Sequence, residues 1–483
     1  MQFNSYAYLV FLALAVLLFW SLPVRLRRPF VLLASLLFYA SWNLYFVALP
    51  MLVCVVMYVC GRGMAGDRQR SRFWLWCGVS AVIATLAFFK YRAFVWVNLS
   101  VLFHSARATP LSAAAAIALP LGISFYSFEA ISYLVDARQG RVKSTSFLDL
   151  WLFVMFWPHL IAGPIVRARE LFPQLKFDKT FDRQFVLRGL DRLIWGLVQK
   201  NLIANSLGSW VDQGFLPGAA VLNTTIDNWF LAAAFGLQIY FDFAAYSNMA
   251  IGAAQLIGIQ LPENFQFPYL ARNPVDFWSR WHMTLTRWIR DYLFFPINAR
   301  YRGAPVPLYL SLLGTMAVIG LWHGAGWGFV LWGALHGAYL VLYRMFERLH
   351  ETRLPQLAEA RWVRACWRVF TLLAVTAAWV PFRAGTLRQA LLMLESMFVK
   401  INLGHLGLSY TVNFYLSTLL IALFCVAEPY LGRMVLWLDD LAVRHRAAFA
   451  ANAFLVRPFV YACGLFLFIM FDDRDTQFIY FQF

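Results

Sequence analysis

Apolar runs of near membrane-spanning length, separated by short arginine-rich loops, recur along this chain and limit what it can fold into. Phe73 to Phe89, Ala113 to Phe128, Trp229 to Phe241, Leu308 to Trp322 and Phe329 to Leu335 are examples. Some approach the ~20 residues that a bilayer-spanning helix requires, and others fall short of it. Backbone in hydrocarbon must satisfy its own polar groups, so such runs form helices; the alternating strands of about ten residues that a barrel needs are not seen. Of 483 residues, 61% are apolar and 13% charged, against roughly 45–50% and about 25% in a soluble domain. The fold class expected is an all-α polytopic membrane protein with about 11–13 transmembrane helices plus re-entrant and interfacial helices. No linker, low-complexity tract or long polar insert interrupts the chain, so residues 1–483 read as a single integral membrane domain.

The net charge of +17 does not point to nucleic acid. The basic residues sit in short loops: Arg25, Arg27 and Arg28; Arg62, Arg68, Arg70 and Arg72; Arg138, Arg141 and Lys143; Arg167 and Arg169. That is the pattern of the positive-inside rule, and it turns the N-terminus outward. Met1 to Leu22 lacks a basic leader and a small-residue cleavage site, so it reads as a retained anchor. Phe30 to Cys60 then has to cross twice, with short helices or a thinned bilayer. The six cysteines lie in or beside apolar runs without a CxxC pair, so neither a metal site nor a disulfide framework is expected.

Polar groups inside apolar runs carry the chemical information. Phe156-Trp-Pro-His-Leu-Ile-Ala-Gly-Pro164 interrupts a helix at two prolines beside His159. Freed backbone at membrane depth is tolerated only inside protein or against a water-filled cavity, so this is a kink, a pocket wall or both. Asp242 sits in the strongly apolar Gln238 to Met249, followed by Ser247 and Asn248. An intramembrane carboxylate is expensive and marks either a site or a helix-packing bond to Tyr246 or a nearby arginine.

Asp276 to Tyr292, placed on one helix, puts Asp276, Arg280, Arg287 and Asp291 within a stripe of roughly 60°. Trp278, Trp281, Leu285, Trp288, Ile289 and Tyr292 fall on the other face, as in an interfacial amphipathic helix with an aromatic belt. His282 lies at the margin of that apolar face. Gly320-Leu-Trp-His-Gly-Ala-Gly-Trp-Gly328 surrounds His323, the only His, Asp, Glu, Lys or Arg from Pro305 to Leu335. Its glycines favour a helix break and close approach. A neutral imidazole without a charged sequence neighbour suits a general base, or a core histidine bonded to a carbonyl. His336 would lie about 140° away on an unbroken helix, poorly placed to form a metal pair with His323, and so lines the same cavity or packs.

Trp281-His282, Leu321-Trp322-His-Gly324, Trp332-Gly-Ala-Leu-His-Gly337, Tyr240-Phe-Asp-Phe243 and Phe156 to Pro164 resemble motifs of the membrane-bound O-acyltransferases. Leu119 to Phe128 and Pro262 to Tyr269 add to the likeness, which is greatest to the bacterial alginate O-acetylation and teichoic-acid D-alanylation branch. It runs from the N-terminus to about Arg383 and reappears at the C-terminus.

The resemblance implies a central tunnel with His323 and His282 at its middle. Asp242, Asn248, Trp281, Trp322, His336 and His159 are expected to line the substrate path. A cytoplasmic acyl thioester, expected to be acetyl-CoA, would meet an acceptor hydroxyl of an extracytoplasmic glycan such as alginate, cellulose or peptidoglycan. No bound cofactor is expected. The C-terminal aromatic motif at 478–483 resembles one in which a tyrosine carries the acyl group, which would give Tyr480 that role. A partner protein outside the bacterial inner membrane would then receive the group. An aromatic interfacial anchor explains the motif equally well. D-alanyl transfer to teichoic acid, and a proton-coupled transporter or flippase, are the alternatives.

Overall fold

The computed structural model describes every residue except 66, 104–118, 143–145, 220–222, 300–304, 354–359, 403–408, 445–454, 472–477 and 480–483. Among the described residues all regular structure is helical, and the chain divides into two compact units. The first comprises Met1–Leu193 and Tyr246–Glu263; the second comprises Ile194–Ala245 and Asn264–Phe483.

Six helices among the described residues are long and apolar enough to cross a bilayer: Leu44–Gly63, Arg68–Leu102, Pro305–His323, Trp327–Leu349, Arg361–Arg383 and Val412–Arg433. Tyr6–Ser21 and Arg457–Met470 are shorter apolar helices. Tyr6–Ser21 is apolar all round, burying Tyr8, Leu12, Ala15 and Phe19 while exposing Val10, Leu14, Leu17 and Leu18. A helix with no polar face has a membrane on its outer side. The stretch from Phe30 to Cys60 falls in two helices, Val24–Ala40 and Ala48–Gly63, of which the second belongs to the candidate span Leu44–Gly63.

In the first unit, Phe147–Met155 ends in the non-helical turn that carries His159. Gly122, at φ 76°, approaches that turn so closely that a Cβ would lie 2.5 Å from the Leu160 carbonyl oxygen. The Trp157 amide donates to Ser35 Oγ at 3.3 Å, which satisfies one donor released by the break.

In the second unit, Pro305–His323 and Trp327–Arg353 form a helical hairpin that breaks between His323 and Trp327, as the glycines predict. Gly320 would place a Cβ 2.1 Å from the Phe329 carbonyl oxygen, and Gly333 one 2.2 Å from that of Met316. Two backbones meet here, the packing mode that small residues permit in membranes. Thr225–Leu256 opens on a capping box, with Asp227 N donating to Thr224 Oγ1 at 3.2 Å and Thr224 N to Asp227 Oδ2 at 2.9 Å. Its residues up to Ala245 belong to the second unit and the rest to the first.

The structure corrects the single amphipathic helix expected over Asp276–Tyr292. Two short helices, Pro274–Arg280 and Met283–Ile289, are separated at Trp281 and His282, and a π turn follows at Arg290–Phe294. The i, i+4 pair Asp276–Arg280 does form, at 2.8 Å. Trp278, Trp281, Leu285, Trp288 and Ile289 are buried inside protein and do not form an exposed belt. The break redirects these side chains, so a helical wheel drawn through it fails.

Candidate active site

The break at His282 is the most constrained point in the second unit. Asn273 caps Pro274–Arg280 by accepting from Asp276 N at 2.8 Å, and Pro274 starts the helix without an amide to satisfy. The chain then extends at Trp281 and turns left-handed at His282, φ 41°. A non-glycine residue there is strained and persists only when its surroundings enforce it.

Asn264 supplies much of that enforcement. Its backbone oxygen accepts from Met283 N at 2.8 Å, and its Oδ1 accepts from Thr284 Oγ1 at 2.9 Å and Thr284 N at 3.5 Å. The same Oδ1 lies 2.9 Å from His282 Nδ1. An oxygen that already accepts from a backbone N–H is an acceptor toward the ring as well, so Nδ1 carries the proton and Nε2 carries the lone pair. His282 is fully buried, and its Nε2 makes no hydrogen bond to any described residue. Burial pushes the imidazole well below the ordinary histidine range, which keeps it neutral.

Aromatic rings connect this imidazole to the hairpin histidine. Phe243 stands edge-on to His282 at 4.7 Å. Trp322 lies 6.3 Å from His282 and 4.9 Å from His323, so one indole touches both imidazoles. His323 also packs against Trp332 at 5.1 Å and Phe382 at 5.4 Å. Trp332 in turn meets His336 at 4.8 Å, and Trp278 meets His336 at 5.1 Å. Trp281 joins this wall through Trp379, at 5.0 Å. The structure therefore gathers Trp281, His282, Trp322, His323 and His336 around a continuous set of rings. Trp332 is buried, and its indole nitrogen finds no acceptor among the described residues.

Asp242 lies in the same unit, with its carboxylate engaged at both oxygens. Oδ1 pairs with Lys200 Nζ at 2.7 Å, and Oδ2 accepts from Ile479 N at 2.7 Å. The ion-pair partner is a lysine, not the tyrosine or arginine that the sequence offered nearby. Two candidates belong to the first unit. His159 is buried, with Nδ1 3.0 Å from Oε1 of the equally buried Glu129. Asn248 is half-buried in the last third of Thr225–Leu256. Tyr480 lies outside the described residues. Among the described residues no group of His, Cys, Asp and Glu is arranged to hold a metal.

Sequence reading missed Asn264, Lys200, Glu129 and Glu428. Glu428 accepts from Tyr240 Oη at 3.0 Å and from Gln199 Nε2 at 3.2 Å. An unaccompanied lysine or glutamate in an apolar run is the one signal that could have found three of them, since burying a charge demands a partner. Asn264→Ala removes the acceptor that fixes the tautomer. It is expected to slow turnover by up to about 10²-fold, the low end of what a positioned acid–base group supplies. A steady-state assay beside a thermal melt separates that loss from unfolding.

The profile of the MBOAT, membrane-bound O-acyltransferase, family matches residues 34–380. A probable alginate O-acetylase of Azotobacter vinelandii is 38% identical over 434 residues, covering 88% of this chain and 84% of its own. A peptidoglycan O-acetyltransferase of Helicobacter pylori is 31% identical over 505 residues, covering 97% and 88%. A teichoic acid D-alanyltransferase of Bacillus subtilis is 29% identical over 255 residues, covering 50% and 63%.

Proposed function

Since this chain belongs to the membrane-bound O-acyltransferase family and is a multi-pass membrane acyltransferase, we propose that it moves acetyl groups from cytoplasmic acetyl-CoA to hydroxyls of an extracytoplasmic polysaccharide. The observation that carries the reading is the pairing of His282 and His323 on one indole, Trp322, within a buried aromatic wall. Relatives matched over most of their length bear names for acetyl transfer to alginate and to peptidoglycan, which supports a glycan acceptor at the bacterial inner membrane. D-alanyl transfer has weaker support, because the relative so named matches over half of this chain.

In this mechanism His323 takes the proton of the acceptor hydroxyl as its oxygen attacks the thioester carbonyl. The tetrahedral intermediate collapses with loss of the thiolate, which recovers the proton from the imidazolium and leaves as thiol. The Trp332 N–H, buried beside His323, is a donor suited to the oxyanion. In its fixed tautomer His282 presents a lone pair at Nε2. That suits it to accept a hydrogen bond from a donor other than the reacting hydroxyl, whose one proton goes to His323, and so to orient the acceptor; oxyanion stabilisation would need an N–H there. The remaining wall residues, Trp281 and His336, shape the acyl path; the first acceptor hydroxyl is that of Tyr480, whose acetyl ester is then attacked by a hydroxyl of the glycan or of a partner protein, which regenerates the tyrosine.

Purified protein in liposomes with labelled acetyl-CoA tests the reading. Label on protein or glycan is the expected result. Label only from a D-alanyl carrier thioester, or substrate movement without covalent change, overturns it. Tyr480→Phe is expected to block onward transfer, and undiminished product would remove the relay.

A further inference from the structure

The Lys200–Asp242 pair is a buried charge pair with no evident part in proton transfer at the histidines. Both side chains are less than a tenth exposed and sit in apolar surroundings. Taking two charges out of water is costly, and such pairs are best attested as devices that fix a register. Here the carboxylate has a second donor. Ile479, four residues from the chain's end, gives its backbone N–H to Asp242 Oδ2 at 2.7 Å, across 237 positions of sequence. An amide on a carboxylate is a charge-assisted bond, about twice as strong as a neutral one.

The surroundings fit the same purpose. Phe478 and Ile479 are both buried, and the Phe478 ring lies 6.0 Å from Phe243. Phe243 is itself edge-on to His282. The preceding helix, Arg457–Met470, is held against the π turn that carries Lys200. Asn201 Nδ2 donates to the Phe468 carbonyl at 3.4 Å, and Gly464 would put a Cβ 2.5 Å from Ile194. The segment at Phe478 and Ile479 is thus tied to a buried charge one phenylalanine from the active-site wall.

We propose that Lys200 and Asp242 form a clamp for the segment at Phe478 and Ile479, and that the clamp holds this segment against Phe243 beside His282. Asp242 is then a positioning residue for transfer, acting through the Ile479 amide. The proposal rests on the transferase reading for its effect on turnover, but the clamp itself is measurable without it.

Ile479→Pro deletes the donated N–H and trims the buried side chain while leaving both buried charges paired; Ile479→Val trims the side chain but keeps the N–H and serves as the control. In detergent-purified full-length protein, carboxypeptidase should release the terminal residues at least about tenfold faster from the proline variant, as loss of a hydrogen bond to a charged group implies. Acyl transfer should fall by a similar factor while the melting temperature stays with that of the valine variant. Equal release from the two variants overturns the clamp. Faster release with unchanged transfer overturns its positioning role and leaves the transferase reading untouched. If the proline variant does not fold, neutralising both charges together as Lys200→Met with Asp242→Leu removes the clamp without leaving an unpaired ion, and the same two readings apply.

Discussion

Replacing His323 by alanine lowers acyl transfer by about 10²- to 10⁴-fold, the range that a positioned general base contributes. The variant should still insert and purify. His323 closes a helix end and its ring contacts include Trp322, Trp332 and Phe382, which remain in contact with one another or with other rings. The cost to the fold is a cavity the size of an imidazole, of order 1–3 kcal/mol, and not a broken backbone. Transfer by purified protein in proteoliposomes, with elution profile and thermal melt alongside, separates the two effects. A variant turning over at more than about a tenth of the normal rate would show that another group takes the proton.

Gly333→Leu is expected to be more destructive, and for a different reason. Its Cβ would stand 2.2 Å from the Met316 carbonyl oxygen, with the Met316 carbonyl carbon at 2.9 Å and Ala317 Cα at 3.0 Å. None of these is the end of a flexible side chain, so the hairpin helices must separate. Trp332 and His336 sit on one of those helices and His323 on the other, so separation also dismantles the wall. Overpacking between backbones belongs with the exceptional destabilisations, above about 4 kcal/mol. The expected outcome is loss of monodisperse protein in detergent. Gly314→Ala, on the other helix of the hairpin, has no heavy atom of a described residue within 4 Å of the added Cβ and should melt like the parent.

These two positions also show what the sequence discloses. His323 and its glycines announce themselves, because a lone ionisable residue in a long apolar run must be either functional or partnered, and three nearby glycines cannot continue a helix under load. That Phe30 to Cys60 falls in two helices and not one follows from its length. The break at His282 was not legible. Nothing in Asp276 to Tyr292 breaks a helix locally, and the left-handed turn is imposed by Asn264, 18 residues upstream. Asp242 was recognised as costly, yet its partners are Lys200, one helix earlier, and an amide 237 positions away. Pairings of that kind are decided by packing, and a periodicity argument carries no information about them. Glu129 and His159, 30 residues apart, were hidden in the same way.

The central claim is that His282 and His323 act as one catalytic unit across Trp322. A double-mutant cycle in the transfer assay, comparing His282→Ala, His323→Ala and the double variant, measures this directly. If the two imidazoles serve the same step, the double variant is no slower than the slower single variant, because groups acting as a unit are strongly non-additive. Penalties that multiply, or a His282→Ala rate equal to that of the parent, would contradict it.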